Sequence, residues 1–204
     1  MDSSIYLDNN ATTRVDPAVV EAMLPFFTEH FGNASSIHAF GSEVGKALKK
    51  ARTQIQALLG AEHDSEIIFT SCGTESDSTA ILSALKAQPE RNTVITTNVE
   101  HPAILTLCEW LEKEGYIVHK LKVDKKGRID MDEYKSLLHD RVAIVSVMWA
   151  NNETGTIFPV EEMAELASAK GIMFHTDAVQ AVGKIPIDLK NTKIDMLSLS
   201  GHKL

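Results

Sequence analysis

Short apolar runs alternate with amphipathic segments along most of this chain. The apolar, β-rich runs cover residues 67–70, 94–97, 117–123, 142–149, 172–175 and 196–199. Between them, segments with the apolar spacing of a helix cover residues 76–87, 103–114, 131–138 and 160–170. Near-continuous apolar strands that alternate with helices are typical of a mostly parallel sheet with helices on both faces. We therefore predict an α/β fold with three layers, α/β/α.

Two helices are predicted before the first apolar run. Asp16 followed by Pro17 is typical of a helix start, and this helix should continue towards Gly32. Over residues 42–59, apolar side chains recur at every third or fourth position, and Gly60 ends the pattern. The apolar positions of this second helix are Val44, Leu48, Ala51, Ile55 and Leu58.

Composition excludes several classes of protein. The 204 residues carry a net charge of −8 without a Lys/Arg block, which argues against binding to nucleic acid or to an anionic membrane. No apolar run approaches the ~20 residues of a membrane span, and the acidic start MDSSIYLDNN is unlike a secretory signal. Two cysteines, Cys72 and Cys108, fit a reducing cytoplasm rather than a disulfide framework. No His or Cys spacing predicts a metal site.

Small and polar residues follow the first predicted strand. Ligands of parallel α/β sheets bind at the carboxyl ends of the strands. Gly73 and Thr74 lie there at the start of a predicted helix, where backbone N–H groups and the helix dipole favour an anion such as a phosphate. The alternative is an ordinary helix cap formed by Thr74 or Ser76.

Two later strand ends are ambiguous by themselves. His101 precedes a helix-starting proline, where it could stack on a ring or move a proton, or could simply cap the helix. Asn151 and Asn152 precede Gly155, and this combination is also ordinary turn chemistry.

The last two strand ends carry charge. Asp177 directly follows an apolar strand, so its carboxylate needs a cationic partner, either a lysine or a protonated ring nitrogen of a cofactor. Lys203 follows the last strand, where burial would make its amine nucleophilic enough for a Schiff base; the alternative is a surface lysine.

Together these strand ends describe a cofactor with a phosphate, an aromatic ring, a basic ring nitrogen and an aldehyde. Pyridoxal 5′-phosphate has all four, and its usual protein partners are a lysine and an aspartate. The chain contains neither GxGxxG nor GxxxxGK[ST], so a dinucleotide site and a P-loop are excluded.

The motifs that contain these residues resemble those of the cysteine desulfurases, in the same order and spacing. They are YLDNNATTRVDP, FGNASSIHAFG, FTSCGTESDSTAI, VEHPAI, NNETG, FHTDAVQAVGK and SLSGHK. The resemblance runs through the whole chain. The phrases VMWANNETGT and HDSEIIFTSCGTESDSTAILSALKAQPE are similar to the NifS type, which serves nitrogenase assembly.

The resemblance implies the large domain of a fold-type I pyridoxal phosphate-dependent transferase. Residues 16–204 would form an incomplete large domain, residues 1–15 would associate with a small domain, and that small domain would lie outside this chain. It also implies a homodimer that converts L-cysteine to L-alanine. The sulfur would leave as a persulfide and pass to an iron–sulfur scaffold protein.

The resemblance also implies roles for individual residues. Lys203 would bind the cofactor covalently and move the Cα proton, and His101 would stack on the ring and take part in proton transfer. Asp177 would keep the ring nitrogen protonated. Asn152 and Gln180 would flank the ring and its phenolic oxygen. The phosphate would be bound by Gly73, Thr74, Ser200, Gly201 and His202.

The family's persulfide-forming cysteine lies beyond the lysine, at a position that this chain does not contain. We therefore expect the 204-residue chain to be inactive alone, and we interpret Cys72 and Cys108 as packing residues. Two alternatives share the cofactor residues: a selenocysteine lyase or another fold-type I aminotransferase, and a non-catalytic module that binds the cofactor or a partner.

Overall fold

The structure, a computed structural model, describes residues 5–204. Its helices and strands divide into two compact units. The first comprises the described residues up to Phe69 together with Ile187–Lys190, and the second comprises Thr70–Pro186 together with Asn191–Leu204. Residues 1–4 of the predicted N-terminal segment lie outside the description. Within residues 5–204, no helix combines the length and the apolar character that crossing a bilayer requires.

The first unit begins with two short helices, α1 (Pro17–Met23) and α2 (Pro25–Thr28). The predicted start is confirmed, because the side chain of Asp16 accepts a hydrogen bond from the first turn of α1. The predicted single helix towards Gly32 is wrong. Pro25 interrupts it, since proline has no N–H to donate and its ring crowds the preceding turn.

The third helix, α3, spans Ala39–Leu59 and confirms the longest predicted helix. It ends where Gly60 takes a left-handed conformation with φ of 63° and donates its N–H to the carbonyl of Gln56. Leu48 and Leu58 remain 41% and 47% exposed. The apolar stripe of α3 is therefore only partly buried by the residues that the structure describes.

The predicted strand at residues 67–70 is wrong. Ile67 is buried, but Ile68 and Phe69 are 75% and 45% exposed. Among residues 5–204, the segment pairs with no strand of the sheet. An apolar run becomes a strand only when a neighbouring strand satisfies its backbone N–H and C=O groups.

The second unit contains a five-stranded parallel sheet in the order β2-β1-β3-β4-β5. Its strands are β1 (Thr93–Thr97), β2 (Ile117–Leu121), β3 (Val142–Ser146), β4 (Met173–Asp177) and β5 (Met196–Ser198). All five correspond to predicted apolar runs. The strands β1 and β3 are fully buried, as expected for a parallel sheet covered on both faces.

Four helices flank this sheet and confirm the predicted α/β/α class. They are α4 (Gly73–Ala87), α5 (Pro102–Lys113), α6 (Met131–Leu137) and α7 (Val160–Ser168). Helix α4 packs against β3, β4 and β5. The buried hydroxyl of Tyr134 in α6 donates a 2.7 Å hydrogen bond to the carbonyl of Met163 in α7.

A hydrophobic core lies between the sheet and helices α4 and α5. It includes Ile81, Val94, Ile104, Leu111 and Ile144, all fully buried. Cys108 belongs to the same core, so its interpretation as a packing residue is confirmed. Burial raises the pKa of its thiol to about 12, which leaves it inert as a nucleophile.

The strand order fixes where a ligand would bind. The strand that follows β1 in the sequence, β2, lies on one side of β1, and the next strand, β3, lies on its other side. Such a switch point opens a crevice at the carboxyl ends of the two adjacent strands. The residues that follow β1 and β3 therefore border the crevice.

Candidate active site

Gly73 lies at the start of α4, close to the segment that follows β5. A Cβ atom at this position would lie 2.7 Å from the Oγ of Ser200 and 3.7 Å from Val179. A side chain at this position would therefore displace the Ser200 hydroxyl from the first turn of α4. The approach places the N-terminal N–H groups of a 15-residue helix beside a serine hydroxyl, a combination that suits a phosphate.

The alternative helix caps are wrong. Helix α4 begins at Gly73 with Cys72 at the capping position, so Thr74 and Ser76 lie inside the first turn. The carboxylate of Glu75 accepts the backbone N–H of Ser71. Cys72 is exposed, so its interpretation as a packing residue is also wrong. Hydrogen bonds from the backbone of Glu75 and from the Ser71 hydroxyl lower the pKa of the Cys72 thiol.

Asp177 is the last residue of β4 and is 6% exposed. Its Oδ1 accepts the backbone N–H of Val179 at 2.9 Å. Burial raises the pKa of Asp177, while the Val179 hydrogen bond and the charges of His101 and Lys203 act in the opposite direction. A buried carboxylate in this position is suited to a cationic N–H donor.

His101 caps α5 through its own side chain. Its Nδ1 accepts the backbone N–H of Ala103 at 3.1 Å. A neutral imidazole whose Nδ1 accepts carries its proton on Nε2. The cap therefore fixes both the ring orientation and the nitrogen that would exchange a proton. The two interpretations of His101, as a cap and as a site residue, are compatible.

The residue before His101 anchors its loop to β3. Glu100 is 4% exposed. Its Oε1 accepts a 2.7 Å hydrogen bond from the hydroxyl of Thr97. The backbone N–H of Met148 donates to both carboxyl oxygens, each at 3.1 Å. Burial raises the pKa of Glu100 to about 8. A protonated Glu100 would thus hold the loop after β1 against the end of β3.

Asn151 organises the loop after β3. Its Oδ1 accepts the backbone N–H groups of Glu153 and Thr154, and its Nδ2 donates to the carbonyl of Val99 at 3.1 Å. The side chain of Asn151 therefore stabilises the turn after β3 and also holds this turn against the loop after β1. Asn152, the predicted ring-flanking residue, is half-buried beside it and donates to Glu153 at 2.8 Å.

Lys203 lies in a single 3-10 turn, Gly201–Lys203, directly after β5. Its side chain is half-buried, and its backbone carbonyl accepts a 3.0 Å hydrogen bond from the ammonium of Lys184. His202 is exposed in the same turn. Gln180 is half-buried three residues beyond the end of β4.

The structure brings two groups of predicted residues together. Gly73 approaches Ser200, and Asp177 lies within electrostatic range of His101 and Lys203. Among residues 5–204, no group of three or more His, Cys, Asp or Glu side chains is arranged to hold a metal ion.

Sequence reasoning missed the buried polar residues beneath this edge. They include Asp77, Glu100, Ser146, His175 and Ser198. A signal was available for those on strands, because a polar residue inside a near-continuous apolar strand requires a buried partner.

A parallel α/β domain whose strand ends carry a helix start suited to a phosphate, a buried aspartate and a lysine is the type of domain that binds pyridoxal phosphate. The family model for aminotransferase class-V matches residues 5–204. The chain belongs to the aminotransferase class-V family.

Individual relatives are similar along nearly the whole chain. The cysteine desulfurase NifS of Azotobacter vinelandii is 76% identical over 202 residues, which are 99% of this chain and 50% of that protein. A solved NifS-like protein superposes with a TM-score of 0.93 at 40% identity, over 98% of this chain and 55% of the other. A solved structure of SspA in complex with cysteine also superposes with a TM-score of 0.93. The two sequences are 37% identical, and the match covers 98% of this chain and 58% of the other. The chain spans about half the length of the curated relatives it matches.

Proteins of this family depend on pyridoxal 5′-phosphate. The residues present fit that group. The first turn of α4 approaches Ser200 without space for a Cβ, and the buried Asp177 carboxylate suits the protonated ring nitrogen.

The Gly73–Ser200 approach leads to a testable expectation. Gly73→Ala should weaken binding of pyridoxal phosphate by roughly tenfold, about 1.4 kcal/mol, because the new methyl group displaces the Ser200 hydroxyl from the first turn of α4. Fluorescence titration of the apoprotein measures the Kd. In a Ser200→Ala background, which removes the clashing Oγ, the same glycine substitution should cost much less. Equal losses in both backgrounds would contradict the steric explanation.

Proposed function

We propose that the complete protein carrying this sequence is a cysteine desulfurase that depends on pyridoxal 5′-phosphate. It converts L-cysteine to L-alanine and releases the sulfur as a persulfide. The observation that carries the proposal is the buried carboxylate of Asp177 at the carboxyl end of β4, with the first turn of α4 beside Ser200 at the same end of the sheet. The identity of 76% to a cysteine desulfurase supports the reaction, and the similarity to a protein solved with cysteine supports the substrate.

Each residue has a defined task in this proposal. Lys203 binds the cofactor through its amine and moves the Cα proton of the substrate. Asp177 holds the proton on the ring nitrogen, and His101 donates or accepts a proton at Nε2. The bound cofactor supplies an electron sink for the substrate's Cα.

The remaining site residues bind and orient. The phosphate is bound by Gly73, Thr74, Ser200, Gly201 and His202. The close approach of Gly73 to Ser200 supports that assignment. Asn152 and Gln180 flank the ring and its phenolic oxygen. Asn151 supports Asn152 by fixing the turn that carries it.

The proposal extends to the surroundings of the enzyme. The complete protein acts as a homodimer with a small domain that includes residues 1–15, and it delivers sulfur to an iron–sulfur scaffold protein for nitrogenase clusters. It works in the cytoplasm, where Cys72 and Cys108, both free in this structure, remain reduced. The identity to the NifS protein of Azotobacter vinelandii supports the nitrogenase assignment.

Product analysis tests the reaction. The purified complete protein, incubated with L-cysteine and a thiol reductant, should form L-alanine and sulfide in equal amounts, well above the rate of free pyridoxal phosphate. L-serine provides a control that differs at the leaving atom. Alanine from L-selenocysteine but not from L-cysteine would replace the proposal by a selenocysteine lyase. Transamination without sulfide would replace it by an aminotransferase.

A further inference from the structure

A set of buried polar side chains lies beneath the candidate site, on the face of the sheet that α4 covers. Ser146, His175 and Ser198 are at most 1% exposed. In the sheet register Ser146 neighbours His175, and Ser198 neighbours Asp177. Because alternate residues of a strand point to the same face, His175 and Asp177 share this face.

These side chains form a hydrogen-bonded chain with one consistent direction. Ser198 donates its hydroxyl hydrogen to Ser76 in α4 at 2.9 Å. The Oγ of Ser198 therefore accepts from the Nε2–H of His175, at 3.0 Å. The Nδ1 of His175 then accepts the hydroxyl hydrogen of Ser146, at 2.9 Å. His175 needs only one proton for this arrangement, so it is neutral, and burial lowers its pKa to about 3.

Asp77 lies beside this chain on α4, one turn beyond Gly73. It is 2% exposed, and its Oδ1 has no hydrogen-bond partner among the residues that the structure describes. That oxygen lies 3.6 Å from the Nε2 of His175. The contact is not an ion pair, because the imidazole is neutral. Burial opposes the ionised form of Asp77, and only a side-chain hydrogen bond with Ser198 favours it.

Three buried carboxyl groups influence one another at this place. Burial, and then the charge of Asp177, raises the pKa of Asp77 to about 7. The pKa of Glu100, raised by burial, is raised further by the charges of Asp177 and Asp77. Of the three, only Asp177 has a cation, Lys203, among the groups that lower its pKa. Like charges at such sites cannot all ionise, so the ionised carboxylate is the one that has the ammonium of Lys203 as an opposing charge.

We propose that Asp77 is a positioning residue that stays protonated, so that Asp177 alone carries the negative charge of the buried cluster towards the cofactor ring. The inference rests on the proposed cofactor role of Asp177 and not on the identity of the substrate. The proposal gives α4 two roles. Its first turn, which begins at Gly73, would bind the phosphate, and the adjoining residues Ser76 and Asp77 would control the charge beneath the cofactor ring.

Infrared spectroscopy of the complete protein tests the protonation state directly. Protein labelled with ¹³C at aspartate carboxyl groups should show the C=O stretch of a buried protonated carboxylic acid at roughly pH 6, about one unit below the pKa of about 7. The band should disappear in Asp77→Asn and persist in Glu100→Gln. Glutamate carries no label, so Glu100 does not contribute. Labelled wild type that shows only carboxylate bands at this pH would overturn the proposal, even if no variant folds.

The pH dependence of unfolding provides a second readout. A group whose pKa is raised from 3.8 to about 7 in the folded state binds its proton more tightly there. Its contribution to stability is therefore lost as pH rises from about 4 to about 7. The pH dependence of urea unfolding in the wild type should exceed that of Asp77→Asn by up to about one proton in this range. His175 acts in the opposite direction in both proteins and cancels in the comparison. Identical slopes would overturn the proposal.

Cofactor binding separates this inference from the proposed function. Asp77→Asn replaces a neutral carboxyl by a neutral amide of the same shape, so the Kd for pyridoxal phosphate should change less than about twofold near pH 6. Asp177→Asn should weaken binding more than tenfold in the same assay. A large loss in the Asp77 variant would show that its charge was needed and would overturn the inference. Failure of cysteine turnover would leave the result intact.

Discussion

Lys203→Ala in the complete protein should lower turnover of L-cysteine by roughly 10³-fold or more, because the proposed function makes its amine the covalent anchor of the cofactor and the carrier of the Cα proton. The visible absorbance of the bound cofactor should be lost with it. The fold should remain, since the half-buried side chain leaves the Lys203 carbonyl in place as the acceptor for Lys184. Steady-state kinetics, absorbance spectra and urea unfolding measure the three effects.

Lys170→Ala is a matched control, since Lys170 is an exposed lysine beyond the end of α7. It should change neither turnover nor absorbance, and its effect on stability should stay within about 0.5 kcal/mol. Wild-type turnover in the Lys203 variant would overturn the assignment of the site.

Asp177→Asn should reduce turnover by roughly 10²–10³-fold, the range for losing one preorganised electrostatic contact. The amide keeps the shape and the Val179 hydrogen bond but cannot hold a proton on the ring nitrogen by charge. The apoprotein should not lose stability at neutral pH, because burial raises the pKa of this carboxyl and its ionised form is costly. Kinetics and urea unfolding of the same preparation measure both effects.

Asp195→Asn separates charge loss from packing. Partial desolvation also raises the pKa of Asp195, which accepts the backbone N–H of Phe174 at 2.7 Å. Asp195 is more exposed than Asp177 and precedes β5, at the amino ends of the strands rather than at their carboxyl ends. Its substitution should affect stability and leave turnover near the wild-type value. If both variants lost turnover equally, the special role of Asp177 would be refuted.

The strands of the second unit were predictable because parallel strands are apolar on both faces. Residues 142–146 illustrate this, since all five are buried. The first four form an uninterrupted apolar run, and the fifth, Ser146, is a small hydroxyl residue at its end. The run at 67–70 has the same local composition, yet it forms no strand. Pairing depends on a neighbouring strand, and that information is not local.

The outer parts of the site were predictable for a similar reason. Each of the four residues concerned lies at or just after a strand end of the predicted parallel sheet: Gly73, His101, Asp177 and Lys203. Because parallel strands all end on the same side of the sheet, their order in the sequence was enough to place them together. The buried layer beneath them was not predictable. Asp77 has the sequence context of an exposed residue in a polar helix start, and its burial follows from the packing of α4 on three strands.

The two hydrogen-bonded bridges across the switch point determine how the crevice would meet an incoming ligand. Glu100 joins the loop after β1 to Met148, and Asn151 joins the loop after β3 to Val99. Because both loops are tied to each other within the folded domain, their conformational entropy is lost during folding rather than during association. Capture of the cofactor then requires little rearrangement of the crevice floor, and its binding free energy remains available for affinity.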